Sequence, residues 1–169
     1  VDAGKPAGPM PRTWRFVTPW NSRTYPVPFT RDHPYFRRFR EAGFDLVRMV
    51  AFSENWLWGA AVTRDAAGKI AIDFTDFDTM VDTYRAAGAE PYIRLAYHLP
   101  AAMSPPGAEK RARHYGAPRD IDEWRAFIRR IVRHCAVERK LGVRYWVAML
   151  NEADIAIRSG EARWEPILD

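Results

Sequence analysis

Glu138-Arg-Lys-Leu-Gly142-Val-Arg-Tyr-Trp146-Val-Ala-Met-Leu150-Asn-Glu-Ala-Asp154 reads as a helix end, a glycine stop, a strand and then an amide–carboxylate pair. The apolar run over 145–150 is short and unbroken, the pattern of a strand covered on both faces. The same junction occurs twice more, as Phe39-Arg-Glu-Ala-Gly43-Phe-Asp-Leu-Val47 and Tyr84-Arg-Ala-Ala-Gly88-Ala-Glu-Pro-Tyr92. Helices alternating with strands imply parallel strands, because each helix carries the chain back along the sheet.

Outward from these junctions, the helices are expected over 32–42, 76–87 and 121–141. Each has an apolar face at helical spacing: Tyr35, Phe36 and Phe39; Phe77, Met80, Val81 and Tyr84; Trp124, Phe127, Ile128, Ile131 and Cys135. Asp32 and Thr75 are the expected N-caps of the first two, and Asp120 with Glu123 a capping box for the third. Gly43, Gly88 and Gly142 are the expected stops. Strands are expected over 14–17, 44–50, 91–95 and 143–150. Residues 1–13 read as an irregular lead-in, and residues 14–169 as one folded unit.

The connections are lopsided. Helix-to-strand links are two or three residues long, whereas strand-to-helix links (18–28, 51–72 and 96–119) are far longer, the first and third rich in proline and the second carrying Trp56 and Trp58. The turn Asp65-Ala-Ala-Gly68 falls inside the second. In a parallel sheet all three long links leave from the C-terminal ends of the strands, the edge where α/β folds place ligands. Asn151 and Glu152 share that edge. A nucleotide-binding sheet would carry a glycine-rich loop after its first strand; Thr18-Pro-Trp-Asn-Ser-Arg23 has none. The expected fold is therefore a TIM (β/α)8 barrel. Such a barrel takes about 250 residues, so this chain supplies its N-terminal half, four strands and three helices.

Composition narrows the classes. With 47% hydrophobic residues, seven Trp and nine Phe in 169 residues, the chain suits an ordered domain rather than a disordered one. The net charge of +5 is spread along the chain, densest at Lys110-Arg-Ala-Arg113 and over 125–140, and the latter is better explained as the wet face of an amphipathic helix than as a nucleic-acid stripe. One cysteine, Cys135, precludes an intrachain disulfide and lies on an apolar stripe, as a packed thiol does. No apolar run reaches the 18 or so residues of a membrane span. Val1 rather than Met at the start leaves room for a removed leader; a secreted or periplasmic setting is favoured slightly over a cytoplasmic one.

The chain resembles glycoside hydrolase family 39, retaining enzymes on (β/α)8 barrels that include β-xylosidases and α-L-iduronidases. The resemblance rests on Trp124, Ile131-Val-Arg-His134, Gly142-Val-Arg-Tyr-Trp146 and Asn151-Glu-Ala-Asp154. Ile72-Asp-Phe-Thr-Asp-Phe-Asp78, Gly88-Ala-Glu-Pro91 and Leu99-Pro100 extend it, so that it covers about residues 36–154. Ala153 departs from it, standing where the family usually has proline. The resemblance implies hydrolysis of a glycosidic bond in an oligo- or polysaccharide, with no cofactor. Glu152 would be the general acid and then base, and Asn151 would hydrogen-bond the sugar's 2-hydroxyl. Arg48, inside the second strand, matches an arginine that related barrels hold near the nucleophile. The nucleophile itself would stand on a seventh strand, beyond Asp169. None of Glu54, Asp73 and Asp76 is assigned in its place: Asp73 and Asp76 flank a helix start as caps do, and nothing in the sequence aims Glu54 at Glu152.

Other candidates come from position alone. His98 follows the third strand, and Trp20, Trp56 and Trp58 lie in long links where flat rings stack on sugars. His134 is expected to be structural, and His33 and His114 show no metal-ligand spacing. The alternative to an enzyme is a half-barrel that binds carbohydrate or assembles without cleaving. Either way the partners are a carbohydrate and, to cover an open sheet, the rest of a barrel, a second chain or another copy.

Overall fold

Two of the three junction glycines, Gly43 (φ 65°) and Gly88 (φ 93°), take the left-handed conformation that ends a helix and turns the chain into a strand. The structure, a computed structural model, describes residues 16–17, 34–52, 59–95, 99–108, 116–141 and 146–147. In chain order its elements are β1 (Phe16–Val17), α1 (Pro34–Ala42), β2 (Leu46–Val50), β3 (Ala61–Arg64), β4 (Ile70–Asp73), α2 (Thr75–Ala86), β5 (Glu90–Arg94), α3 (Ile121–Arg133) and β6 (Trp146–Val147). A 3-10 turn, Ala101–Met103, follows β5, and a π-helical turn, His134–Glu138, continues α3.

Strands β1, β2, β5 and β6 form a four-stranded sheet in that order, every pair parallel. The register aligns Leu46 with Glu90, Arg48 with Tyr92, and Val50 with Arg94, while Trp146 lies beside Ile93. Strand order thus follows chain order, without the reversal that marks a doubly wound nucleotide-binding sheet. The sheet is open among the described residues.

Side-chain alternation assigns the two faces of this sheet. Val47, Met49 and Ile93 point into one buried cluster with Phe77, Met80, Val81 and Tyr84 of α2 and with Phe127, Ile131 and Cys135. Phe39 of α1 packs on the same cluster, its ring 5.2 Å from that of Tyr84. All three helices therefore cover one face. Phe52, just past β2, joins the layers edge-on, its ring 4.9 Å from Phe127 and 6.1 Å from Trp124.

Four local expectations change. Residues 61–73, read only as a long link with a turn, form an antiparallel hairpin, Ala61 pairing with Asp73 and Arg64 with Ile70. Its turn is the expected one: Asp65 Oδ1 accepts from the backbone N–H groups of Ala67 and Lys69, and Gly68 takes φ 76°. Thr75 does not cap α2 from outside. It is the first helical residue, and Asp73 Oδ1 accepts from both its N–H (2.9 Å) and its hydroxyl (2.6 Å). Only half of the capping box forms, because Asp120 accepts from Asp122 and Glu123 N–H while the Glu123 carboxylate is taken by Arg64. The third helix gives way to the π-turn at His134, and the left-handed residue after it is Lys140 (φ 49°); Gly142 lies outside the described residues.

Candidate functional site

Because β2 and β5 are parallel, the links 51–74 and 95–120 leave the same edge of the sheet. Their first contacts are made there. Ala51 N–H donates to Arg94 O at 2.8 Å, and Phe52 bridges to Ala60 where the second link returns. The β3–β4 hairpin then reaches across to the third link. Arg64 Nε donates to Ala102 O at 2.9 Å, and its two terminal nitrogens hold Glu123 Oε1 and Oε2 at 2.9 and 2.6 Å. This fork-on-fork pair is about three-quarters buried on both sides (side chains 20% and 25% exposed), with Arg119 adding a longer contact to Glu123 at 3.8 Å. The Arg64 hydrogen bonds hold the Glu123 carboxyl below the usual carboxylate range, and Glu123 in turn raises the guanidinium. The two links are thereby pinned together as one wall above the sheet edge.

The sheet face turned away from the helices carries Leu46, Arg48 and Val50 from β2 and Tyr92 and Arg94 from β5, by the alternation that sends Val47, Met49 and Ile93 inward. Arg48 is half-buried, level with Tyr92. Arg94 stands two residues nearer the ligand edge, level with Val50 and with Val147 of β6, and is only 5% exposed. Residues 91–95 read as a strand in sequence, without Arg94 being singled out; an arginine at the end of a buried strand is the signal that was available.

Beside this wall the third link encloses an open groove of about 600 Å³, lined by Leu99, Ser104, Pro105, Pro106, Pro118 and Arg119 among others. Its polar groups are already engaged: Ser104 Oγ donates to Pro100 O at 2.9 Å, and Arg119 faces Glu123. The groove therefore offers shape and apolar surface rather than an acid–base pair.

Of the residues expected to act on substrate, Arg48 is the one the structure describes. Glu152, Asn151, His98, Trp20, Trp56, Trp58 and Glu54 lie outside the described residues, as do Asp32, His33 and His114. Asp73 is occupied in capping α2, and its bonds to Thr75 hold its carboxyl low; Asp76 sits in the first turn of that helix. His134 and Cys135 are buried at the end of α3, 7% and 0% exposed, on the helix-covered side. Burial pushes the Cys135 thiol up to about 12, which makes it a packing group and not a nucleophile. Among the described residues, no group of His, Cys, Asp and Glu could hold a metal ion, and no helix is long and apolar enough to cross a membrane. Compared with known proteins, the chain matches no family model and no curated protein.

Proposed function

We propose that this chain supplies the first four strands and three helices of a (β/α)8 barrel and belongs to a retaining glycoside hydrolase. The observation that supports it most is topological: four parallel strands in chain order, covered by helices on one face, with long connections gathered at one edge. β6 runs parallel to β5 toward that edge, and Asn151 and Glu152 follow Val147 by four and five residues. In this reading Glu152 protonates the leaving glycosidic oxygen while a second carboxylate, assigned to no residue of this chain, attacks the anomeric carbon. Glu152 then removes a proton from the water that releases the sugar. Asn151 holds the 2-hydroxyl, and Arg48 keeps the attacking carboxylate ionised from the sheet face turned away from the helices.

Because the attacking carboxylate is not on this chain, the 169 residues alone are expected to be inactive, and the test is hydrolysis of aryl and natural glycosides by the protein that includes the remaining strands of the barrel, with and without Glu152→Gln. Loss of the acid should lower turnover of natural glycosides about a hundredfold or more. Turnover left unchanged by Glu152→Gln would remove the assignment. Binding of oligosaccharide with no turnover in the wild type would instead favour a carbohydrate-binding or assembly role.

A further inference from the structure

Helix α3 carries more apolar surface than the described core covers. Phe127 and Ile131 are buried in the cluster beneath the helix, and Ile128 packs partly against it. Ile121 and Val132, on the same helix, are 53% and 38% exposed.

Their place on the helix can be read against α2. The side of α3 that meets α2 is marked by Arg130, whose guanidinium lies 4.9 Å over the ring of Phe74 at the start of α2, and by His134, whose Nε2 is 2.8 Å from Asp78 Oδ1. At 3.6 residues per turn, Ile121 stands about 180° around the helix from Arg130, and Ile128 and Val132 about 160° from it. The three therefore line the flank of α3 turned away from α2. The sheet fixes where that flank points. The helices touch one another in chain order, α1 meeting α2 through Phe39 and Tyr84 and α2 meeting α3 through Asp78 and His134. The strands run in the same order, and β6, which α3 leads into, is the outermost strand on that side among the described residues. The flank thus overhangs the side of the sheet where a strand after β6 would pair.

We propose that the line Ile121–Ile128–Val132 is the seat of the next helix of the sheet, an amphipathic helix carried by the polypeptide that follows β6. The proposal rests on the half-barrel reading given above and not on its glycosidic chemistry. Continuity supports this occupant, because each described helix already packs on the one before it. Area supports it too. A stable interface between separate chains buries about 800 Å² on each partner, from about 20–30 residues a side. Three side chains in a line supply far less, too little to offset the lost freedom of a second copy. A helix tethered through β6 arrives at high effective concentration and needs less surface. Charge sets the rest of its pattern. Arg125, which also holds Asp122 at 2.9 Å, and Arg129 border the line on its solvent side, so carboxylates belong along the outer edge of the incoming helix.

Thiol labelling of the protein that includes the remaining strands reads this directly. Cys135 is fully buried and stays silent. Val132→Cys places a thiol on the flank, and Ala126→Cys places one on the exposed side about 120° away. The first should react at least about tenfold more slowly than the second, at a rate independent of protein concentration. Equal rates would overturn the proposal, and so would protection that disappears on dilution, which would give the flank to a second copy. Hydroxyl-radical footprinting of the unsubstituted protein decides the matter even if a variant fails to fold. Ile121 and Val132 should be oxidised less than Val137, which is 61% exposed in the π-turn; oxidation equal to that of Val137 would overturn the proposal. Neither readout depends on turnover. A protected flank without glycoside hydrolysis would remove the enzymatic reading alone, and hydrolysis with a reactive flank would remove this one alone.

Discussion

Two kinds of residue at the helix ends differ in what they cost. Gly43 and Gly88 hold left-handed conformations with open space where a Cβ would stand, so a side chain there meets no neighbour and the penalty is conformational alone. Gly88→Ala should destabilise the fold by about 1–2 kcal/mol, read as a lower urea midpoint with unchanged slope. Lys140 bears that strain already at φ 49°. Lys140→Gly should therefore raise the midpoint, and a lowered one would show that the lysine side chain contributes more than its backbone costs. Carboxyls act at the same scale. Those of Asp73, Asp120, Glu123 and Glu138 all sit below their ordinary range: the Thr75 hydroxyl and then its N–H donate to Asp73, backbone N–H groups to Asp120, Arg64 to Glu123 and His134 to Glu138. A carboxyl depressed in the folded state contributes stability above its unfolded value, lost as pH falls through the folded one. Chemical denaturation between about pH 5 and 2 should show that progressive loss, smaller in Glu123→Gln than in the wild type.

Among elements, the hairpin β3–β4 was the one left unseen. Ala61-Val-Thr-Arg64 and Ile70-Ala-Ile-Asp73 are four residues each, and their Ala and Arg positions blur the alternation that marks a strand. The turn was legible because Asp65 and Gly68 carry its chemistry locally; the pairing was not, since Val62, Ile70 and Ile72 are held by packing against the core. Arg64 is the hairpin's anchor to the third link. Arg64→Met should keep the side-chain stem yet remove the fork to Glu123 and the bond to Ala102, speeding amide exchange in 61–73 and at the start of α3. Unchanged protection there would mean that Val62, Ile70 and Ile72 alone seat the hairpin. Helix α3, by contrast, was readable over its α-helical length because Trp124, Phe127, Ile128 and Ile131 repeat at one face. Phe127 is 3% exposed between Phe52 and Trp124. Phe127→Ala should cost about 3–5 kcal/mol in thermal or urea unfolding, and a cost below about 1 would show that the core refills the space.

At the scale of the molecule, the four parallel strands make, among the described residues, an open sheet whose face away from the helices bears Arg48, Val50, Tyr92 and Arg94. Parallel sheets are ordinarily covered on both faces. The protein is expected to exceed 19.5 kDa in light scattering, through a copy of itself or a further chain. A clean monomer of that mass would show that the chain covers its own sheet.

The amino-acid order was sufficient for what depends on near neighbours: the glycine stops at 43 and 88, the Asp65 turn, the Asp120 cap, the apolar faces of three helices and the parallel sense of the strands they join. Each follows from backbone conformation or periodicity within a dozen residues. Tertiary structure alone decided where charge finds its partner. It took Glu123 from its capping box to Arg64, buried Arg94 beside β6 and placed His134 between Asp78 and Glu138. A charged side chain leaves water only for an opposite charge or a donor, and that partner can lie 50 or more residues away, as Glu123 does from Arg64 and His134 from Asp78.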